Sequence, residues 1–218
     1  MHWTILANHL ETLELLDTTN CATWDYIVEH FIRPSDVEDM NLYWTKRNMY
    51  NLQIKPIVET VITELNEMFE HNECIKIKLM SSYGANTNLY AASDIDIGII
   101  VQDMNEQVTN MIGVTLINNG YSYSKYMNDY YCYNKFVDGI EIEIKVRDMM
   151  KSQHIIQLHD YLDTKCDERQ KIIYTYLKYK IINLRPIRNK AYSVIKMLFY
   201  NIALLQINPK CTSFITNI

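Results

Sequence analysis

Two stretches constrain this chain more than any others: "SDIDIGIIV", Ser93 to Val101, and "DGIEIEIKVRD", Asp138 to Asp148. Both alternate charged residues with isoleucine or valine, the pattern of a half-buried strand. In a strand, residues i and i+2 share a face and lie about 7 Å apart along the chain. Asp94 and Asp96 therefore point one way, while Ile95, Ile97 and Ile99 point to a core. In the second stretch Glu141, Glu143, Lys145 and Arg147 share a face, and Ile140, Ile142, Ile144 and Val146 take the other. Two acidic faces in one small sheet repel each other unless a cation lies between them. Hard divalent ions such as Mg²⁺ or Mn²⁺ take oxygen ligands, carboxylates and phosphates above all. Two of them about 4 Å apart can clamp the attacking and leaving oxygens of a phosphoryl transfer, and a third carboxylate can accept the proton of an attacking hydroxyl. The competing reading is a solvated sheet face on which acids meet lysines across strands. Glu141 fits that reading, and Lys145 and Arg147 either face phosphates or balance the glutamates.

The residues before Asp94 sharpen the metal reading. "ECIKIKLM" has period two, with Ile75, Ile77 and Leu79 on one face, and predicts a strand. It runs into Ser81, Ser82, Gly84 and Ala85, small residues that let a backbone approach a phosphate chain closely. Elsewhere the spacing of apolar residues predicts helices over 3–16 and 24–32, and a long one ending near Phe69. Ser35 and Glu38 form a capping box at its start, a stripe of Ile57, Val61, Leu65 and Met68 marks its buried side, and Pro56 starts or kinks that part. "MNEQVTNMIGVTLINNG" predicts a helix closed by Gly120. "YSYSKYMNDYYCYNKFVDGIEIEIKV" predicts a hairpin turning at Asp138-Gly139. Helices follow at roughly 149–162, 167–183 and 190–206. The expected class is α+β. N-terminal helices (1–44) precede a small sheet with flanking helices (45–147) and then an all-helical region (148–218).

Composition excludes some functions. A net charge of −5 argues against a free-standing basic nucleic-acid binder. Five scattered cysteines without a C-x-x-C pair predict reduced, mostly buried thiols, and with them a cytoplasmic or nuclear compartment, the cytoplasm first. The N-terminus carries no targeting pattern, and no apolar run is long enough for a membrane span. His154 and His159, five apart, do not align for zinc, and Cys132 among tyrosines predicts a buried structural thiol. The tyrosine run 121–133 predicts amphipathic packing before base stacking.

The strand, the serine turn, the D-h-D-h pair and a later acid on another strand resemble the DNA polymerase β nucleotidyltransferase superfamily. "SSYGANTNLYAASDIDIGIIV" is closest in style to noncanonical poly(A) polymerases and terminal uridylyltransferases, "QKIIYTYLKYKI" resembles their L-K-x-W helix, and "NKAYSVIKMLFYNIALLQ" resembles a later helix. The resemblance spans about residues 46–206, with its blocks in family order. It implies that Asp94, Asp96 and Glu143 bind two Mg²⁺ or Mn²⁺ ions and that Glu143 acts as general base. It also implies that Ser81 and Ser82 contact nucleotide phosphates, that Lys178 reaches the triphosphate and that Tyr192 stacks on the base. Ser81 stands where the family has glycine. Ser82 as the family serine leaves eleven residues before Asp94, Gly84-Ala85 as the turn leaves eight, and the first register is preferred. Glu143 replaces the aspartate usual in this branch, Ala191 replaces a serine, and "KSQHIIQLHDYLD" stands where ribose-binding asparagines are usual. The implied activity is transfer of NMP from NTP to a hydroxyl, an RNA 3′ end before others, releasing pyrophosphate. AMP transfer to a protein or small molecule, and a non-catalytic binding or scaffold role, stay open. The helical region is short for this family, which leaves three expectations open: a protein partner or self-association completes it, the chain is a fragment, or the form is a reduced one.

Overall fold

The computed structural model describes residues 2–14, 17–18, 20–91, 94–127, 130–184 and 189–207. Contacts divide the chain into two units. One is Met49–Asp163; the other combines Met1–Asn48 with Thr164–Ile218. The division falls within a single helix, α3 (Asp36–Met68).

The first unit is built on a sheet. Its strands are β1 (Ile75–Leu79), β2 (Ile95–Val101), β3 (Ser122–Met127), β4 (Tyr130–Val137) and β5 (Ile140–Asp148), in the order β1-β2-β5-β4-β3. Only β2 and β5 run parallel. The connection between them passes through α5 (Glu106–Asn118) and the β3–β4 hairpin. One face of the sheet is apolar. Ile95, Ile97, Ile99, Ile142, Ile144 and Val146 pack with Ile54, Val58, Val61, Leu65 and Phe69 of the α3 end and with Ile112 and Leu116 of α5. Burying each such side chain contributes about 1.5–3 kcal/mol, so this layer holds the strands in register.

Local chemistry explains the ends. Asp138 and Gly139 both take positive φ, 50° and 79°, which makes the type I′ turn that the dipeptide predicts. At the end of α5 the Tyr121 N–H bonds to the Leu116 carbonyl and the Gly120 N–H to that of Ile117, a Schellman motif whose Tyr121 and Leu116 are both core residues. Helix α6 (Met149–Thr164) follows β5 directly. Asp148 Oδ1 accepts from its Lys151 N–H at 3.0 Å, and Lys78 of β1 pairs with its Asp160.

Several expectations are corrected. Of the two expectations for Pro56, a start and a kink, the start is set aside: helix α3 continues through it. Pro56 and Leu52, the residue whose carbonyl loses a partner, both lie on the exposed side, where water can take the lost bond. The buried stripe is Ile54, Val58, Val61, Leu65 and Phe69, with Ile57 and Met68 at its margin. At its N-terminus the bond found is from the Arg33 N–H to Asp36 Oδ2, 2.9 Å, in place of the expected Ser35–Glu38 box. The expected single hairpin is a three-stranded meander, because β3 pairs with β4 in addition; residues 128–129 between them lie outside the described residues. The segment after β1 is a short helical turn, α4 (Ser81–Gly84), rather than open loop. Among the described cysteines Cys132 is buried, Cys166 is half-buried and Cys21 and Cys74 are exposed, so the thiols are not mostly buried. Cys211 lies outside the described residues.

The second unit is helical: α1 (His2–Thr12), α2 (Cys21–Phe31), the start of α3, α7 (Glu168–Ile182) and α8 (Asn189–Ile207). Aromatic packing organises it. Tyr174 of α7 stacks on Phe199 of α8 with ring centroids 4.1 Å apart, and Trp24 of α2 meets the same Phe199 at 5.9 Å. Asn201 donates to the Thr18 carbonyl at 2.8 Å in a fully buried contact. No helix among the described residues is long and apolar enough to cross a membrane.

Candidate functional site

The other face of the sheet carries the charges. In the parallel β2–β5 pair Asp96 stands directly beside Glu143, and Asp94 immediately precedes β2. Asp94, Asp96 and Glu143 each offer a carboxylate oxygen, all within 4.8 Å of one another. Among the described residues this is the group of histidine, cysteine, aspartate and glutamate side chains that brings ligand atoms together. Asp94 is exposed, Glu143 is half-buried and Asp96 is 4% exposed. The cluster thus opens at Asp94 and deepens toward Asp96. His154 and His159 are not part of it.

Lys145, two residues along β5 on the same face, forms ion pairs from Nζ with Asp96 Oδ1 and with Glu143 Oε2, the latter at 2.9 Å. Burial raises the Asp96 pKa, against the pull of Lys145 and of a hydrogen bond from Ser81. Glu143 is less deeply buried; burial opposes its charge too, but its hydrogen bond from Lys145 and the lysine's charge outweigh this and hold its pKa below the ordinary value. Burial works against the charge on Lys145, and the two carboxylates overcome it, so its pKa is raised. Arg147 lies mostly buried with its guanidinium 4.0 Å above the Tyr130 ring; burial lowers its pKa. Cys132, opposite Lys145 on β4, is buried beneath this face, and its thiol is pushed up to about 11 by burial and then by Glu143.

The serine turn sits at the edge of this cluster. The Met80 N–H bonds to the Asp96 carbonyl at 2.9 Å, which carries the chain from β1 into α4 beside the acids. Ser81 takes φ 51°, a left-handed conformation that glycine adopts without cost, and its side chain bonds to Asp96. Ser82 follows within α4, where its carbonyl accepts from the Thr87 N–H at 2.7 Å. Gly84 is needed for close approach: a Cβ there would lie 2.7 Å from the Leu79 backbone. Beyond the turn Asn88 and Asn51 of α3 exchange two hydrogen bonds, 2.7 and 3.1 Å, and Tyr90 meets Tyr50 edge-on. These contacts anchor the loop that returns to Asp94.

Lys178 and Tyr192 belong to the helical unit. Lys178 is 4% exposed, with Nζ 5.8 Å from the Tyr192 ring and 6.0 Å from Tyr174. Helical periodicity alone would place this lysine in solvent. The structure buries it among aromatic rings and pairs it with the tyrosine that the resemblance singles out. The alternative in which Lys145 balances a glutamate holds for Glu143; sequence reasoning missed its ion pair with Asp96, the contact of Ser81 with Asp96, and the Asn51–Asn88 anchor. For Lys145 the signal was its place two residues after Glu143. The asparagine pair had no local signal. The tyrosine run divides: Tyr121 and Tyr133 are core residues, while Tyr123 and Tyr126 are exposed beside a groove of about 660 Å³ along α5 on the opposite face from the acids.

No protein-family model matches the sequence, and no curated protein matches it. Among solved structures, conserved protein GrpB from Enterococcus faecalis superposes with a TM-score of 0.51 at 15% identity, over 72% of this chain and 94% of its own. The Cid1 poly(U) polymerase gives 0.49 at 14% identity, over 66% of this chain and 47% of its own. A cytoplasmic RNA terminal U-transferase gives 0.47 at 16%, over 65% and 44%. The chain spans under half the length of these last two. The likeness to GrpB, with the strand order and the sheet's flanking helices, carries the conclusion on architecture: this chain has the fold of the DNA polymerase β-like nucleotidyltransferases.

Proposed function

We propose that the protein is a metal-dependent nucleotidyltransferase that moves NMP from an NTP to a hydroxyl, with an RNA 3′ end as the acceptor. The observation that carries this reading is the convergence of Asp94, Asp96 and Glu143 within 4.8 Å on one face of neighbouring strands. Three carboxylate donors at that spacing suit a hard divalent cation such as Mg²⁺ or Mn²⁺. Such ions neutralise charge on the transferring phosphoryl group and orient the attacking and leaving oxygens.

The chain's own residues divide the remaining work. Asp94, Asp96 and Glu143 would hold two ions. Glu143 accepts the proton of the attacking hydroxyl as that oxygen bonds to the α-phosphorus. The bond from the α-phosphorus to the bridging oxygen breaks, and pyrophosphate leaves. Ser81 and Ser82 contact phosphates from the turn, a register supported by the left-handed φ of Ser81 at the position of the family glycine. Lys178 supplies a point charge for the triphosphate, and Tyr192 a ring for the base.

A second reading, a non-catalytic nucleotidyltransferase fold, is favoured by one observation: Lys145 already neutralises part of the charge on Asp96 and Glu143. Incubation with Mn²⁺, each labelled NTP and an RNA primer separates the two. Extension that Asp96→Asn abolishes supports the enzyme. No extension and no nucleotide binding supports the second reading. Transfer of label from ATP to protein without extension keeps the chemistry and changes the acceptor.

A further inference from the structure

The carboxylate cluster already holds a cation, and that cation is part of the chain. Lys145 Nζ forms ion pairs with Asp96 and with Glu143, two of the three side chains that form the candidate metal centre. Its side chain is 13% exposed, and the ammonium lies 6.0 Å from the Tyr130 ring. Lys145 is anchored opposite Gly98 of β2, so its stem rises from the floor of the cluster.

An ammonium and a divalent ion want the same carboxylate oxygens and repel each other at that range. The lysine stem is flexible, so it can yield. Charge makes the exchange favourable: a divalent ion brings two positive charges to Asp96 and Glu143, where the ammonium brings one. We infer that Lys145 is a built-in competitor of the metal: in the protein alone it occupies the divalent ion's place on Asp96 and Glu143, and ion binding requires its ammonium to leave both. This rests on the metal reading of the cluster proposed above. Lys145 is on this account a positioning residue. It keeps two closely spaced acids neutralised in the ion-free protein and sets the concentration at which the centre loads.

The test uses the full chain and two measurements that do not depend on turnover. Free Mn²⁺ is followed by electron paramagnetic resonance during titration of the wild type, Lys145→Met and Lys145→Arg. Removing the competing charge tightens Mn²⁺ binding about tenfold in Lys145→Met, and Lys145→Arg, which keeps the charge, stays near wild type. In the wild type, labelling of Lys145 by an amine-reactive reagent rises severalfold at saturating Mg²⁺ while that of Lys180 does not change. The labelling decides the question even if Lys145→Met does not fold. Equal Mn²⁺ affinity in wild type and Lys145→Met, or Lys145 labelling indifferent to Mg²⁺, overturns the inference and leaves the metal centre standing. No Mn²⁺ binding by any of the three proteins overturns the metal centre and the inference with it.

Discussion

Two lysine–carboxylate clusters in this chain differ in balance. In the helical unit Lys180 pairs with Asp39 at 2.5 Å, the Tyr176 hydroxyl donates to the same Oδ2 at 2.7 Å, and the rings of Trp3, Tyr176 and Tyr179 lie within 5.8 Å of the ammonium. One acid meets one base, and aromatic faces supply the rest of the cation's surroundings. In the sheet unit one lysine serves two carboxylates, and a third stands within 4.8 Å. The first cluster is complete as it stands. The second sets three carboxylates beside the lysine in a half-buried place. That difference in balance is what the metal-centre proposal draws on.

The comparison breaks most clearly on activity. Asp96→Asn is expected to slow primer extension by about 10³-fold, near 4 kcal/mol of barrier, while Asp39→Asn leaves the single-turnover rate unchanged. Equal losses in the two variants would erase the distinction. The apolar face of the same sheet gives the largest stability effect: Ile97→Ala opens a cavity in a fully buried layer and costs about 2–5 kcal/mol in urea denaturation. Gly84→Ala forces a Cβ against the Leu79 backbone; the expected loss is about 1–3 kcal/mol, together with weaker nucleotide binding in a filter assay. Asp39→Asn, at a side chain 52% exposed, lowers the unfolding free energy from urea denaturation only slightly, by about 0.2–1 kcal/mol. The smallest effect is its pH dependence. The hydrogen bond from Lys180, then that from Tyr176, hold the Asp39 pKa below 3.8. Its contribution is therefore fully present above pH 3.8 and is lost as the pH falls through the folded value. The Asp39→Asn stability curve should be flatter than wild type in that acid range, and curves of equal slope would show that the pair contributes nothing to folding.

How much of this was legible in the sequence follows from the range of each interaction. The two faces of β2 and β5, the I′ turn at Asp138-Gly139 and the helix stop at Gly120 are set by residues within a few positions of each other, and the structure shows all three. The residues of the acid cluster were also readable, because alternation places Asp94, Asp96 and Glu143 on strand faces turned away from the isoleucine layer. That β5 is the parallel neighbour of β2, with Glu143 opposite Asp96, depends on a connection through α5 and two more strands, which no local pattern encodes. The turn after β1 was read as loop because its helical form begins at a serine with positive φ, a conformation that side chains disfavour. The path of α3 through Pro56 reflects packing of Ile54, Val58 and Val61, which overrides the local tendency of proline to interrupt a helix.

The most direct test of the central claim is an anomalous-difference map from crystals of the full chain soaked with Mn²⁺ and a non-hydrolysable NTP analogue. The account predicts Mn²⁺ bonded to oxygens of Asp94, Asp96 and Glu143, with Lys145 withdrawn from the acids. Well-diffracting soaked crystals with no anomalous density at the cluster, and with Lys145 still joining Asp96 to Glu143, would contradict it.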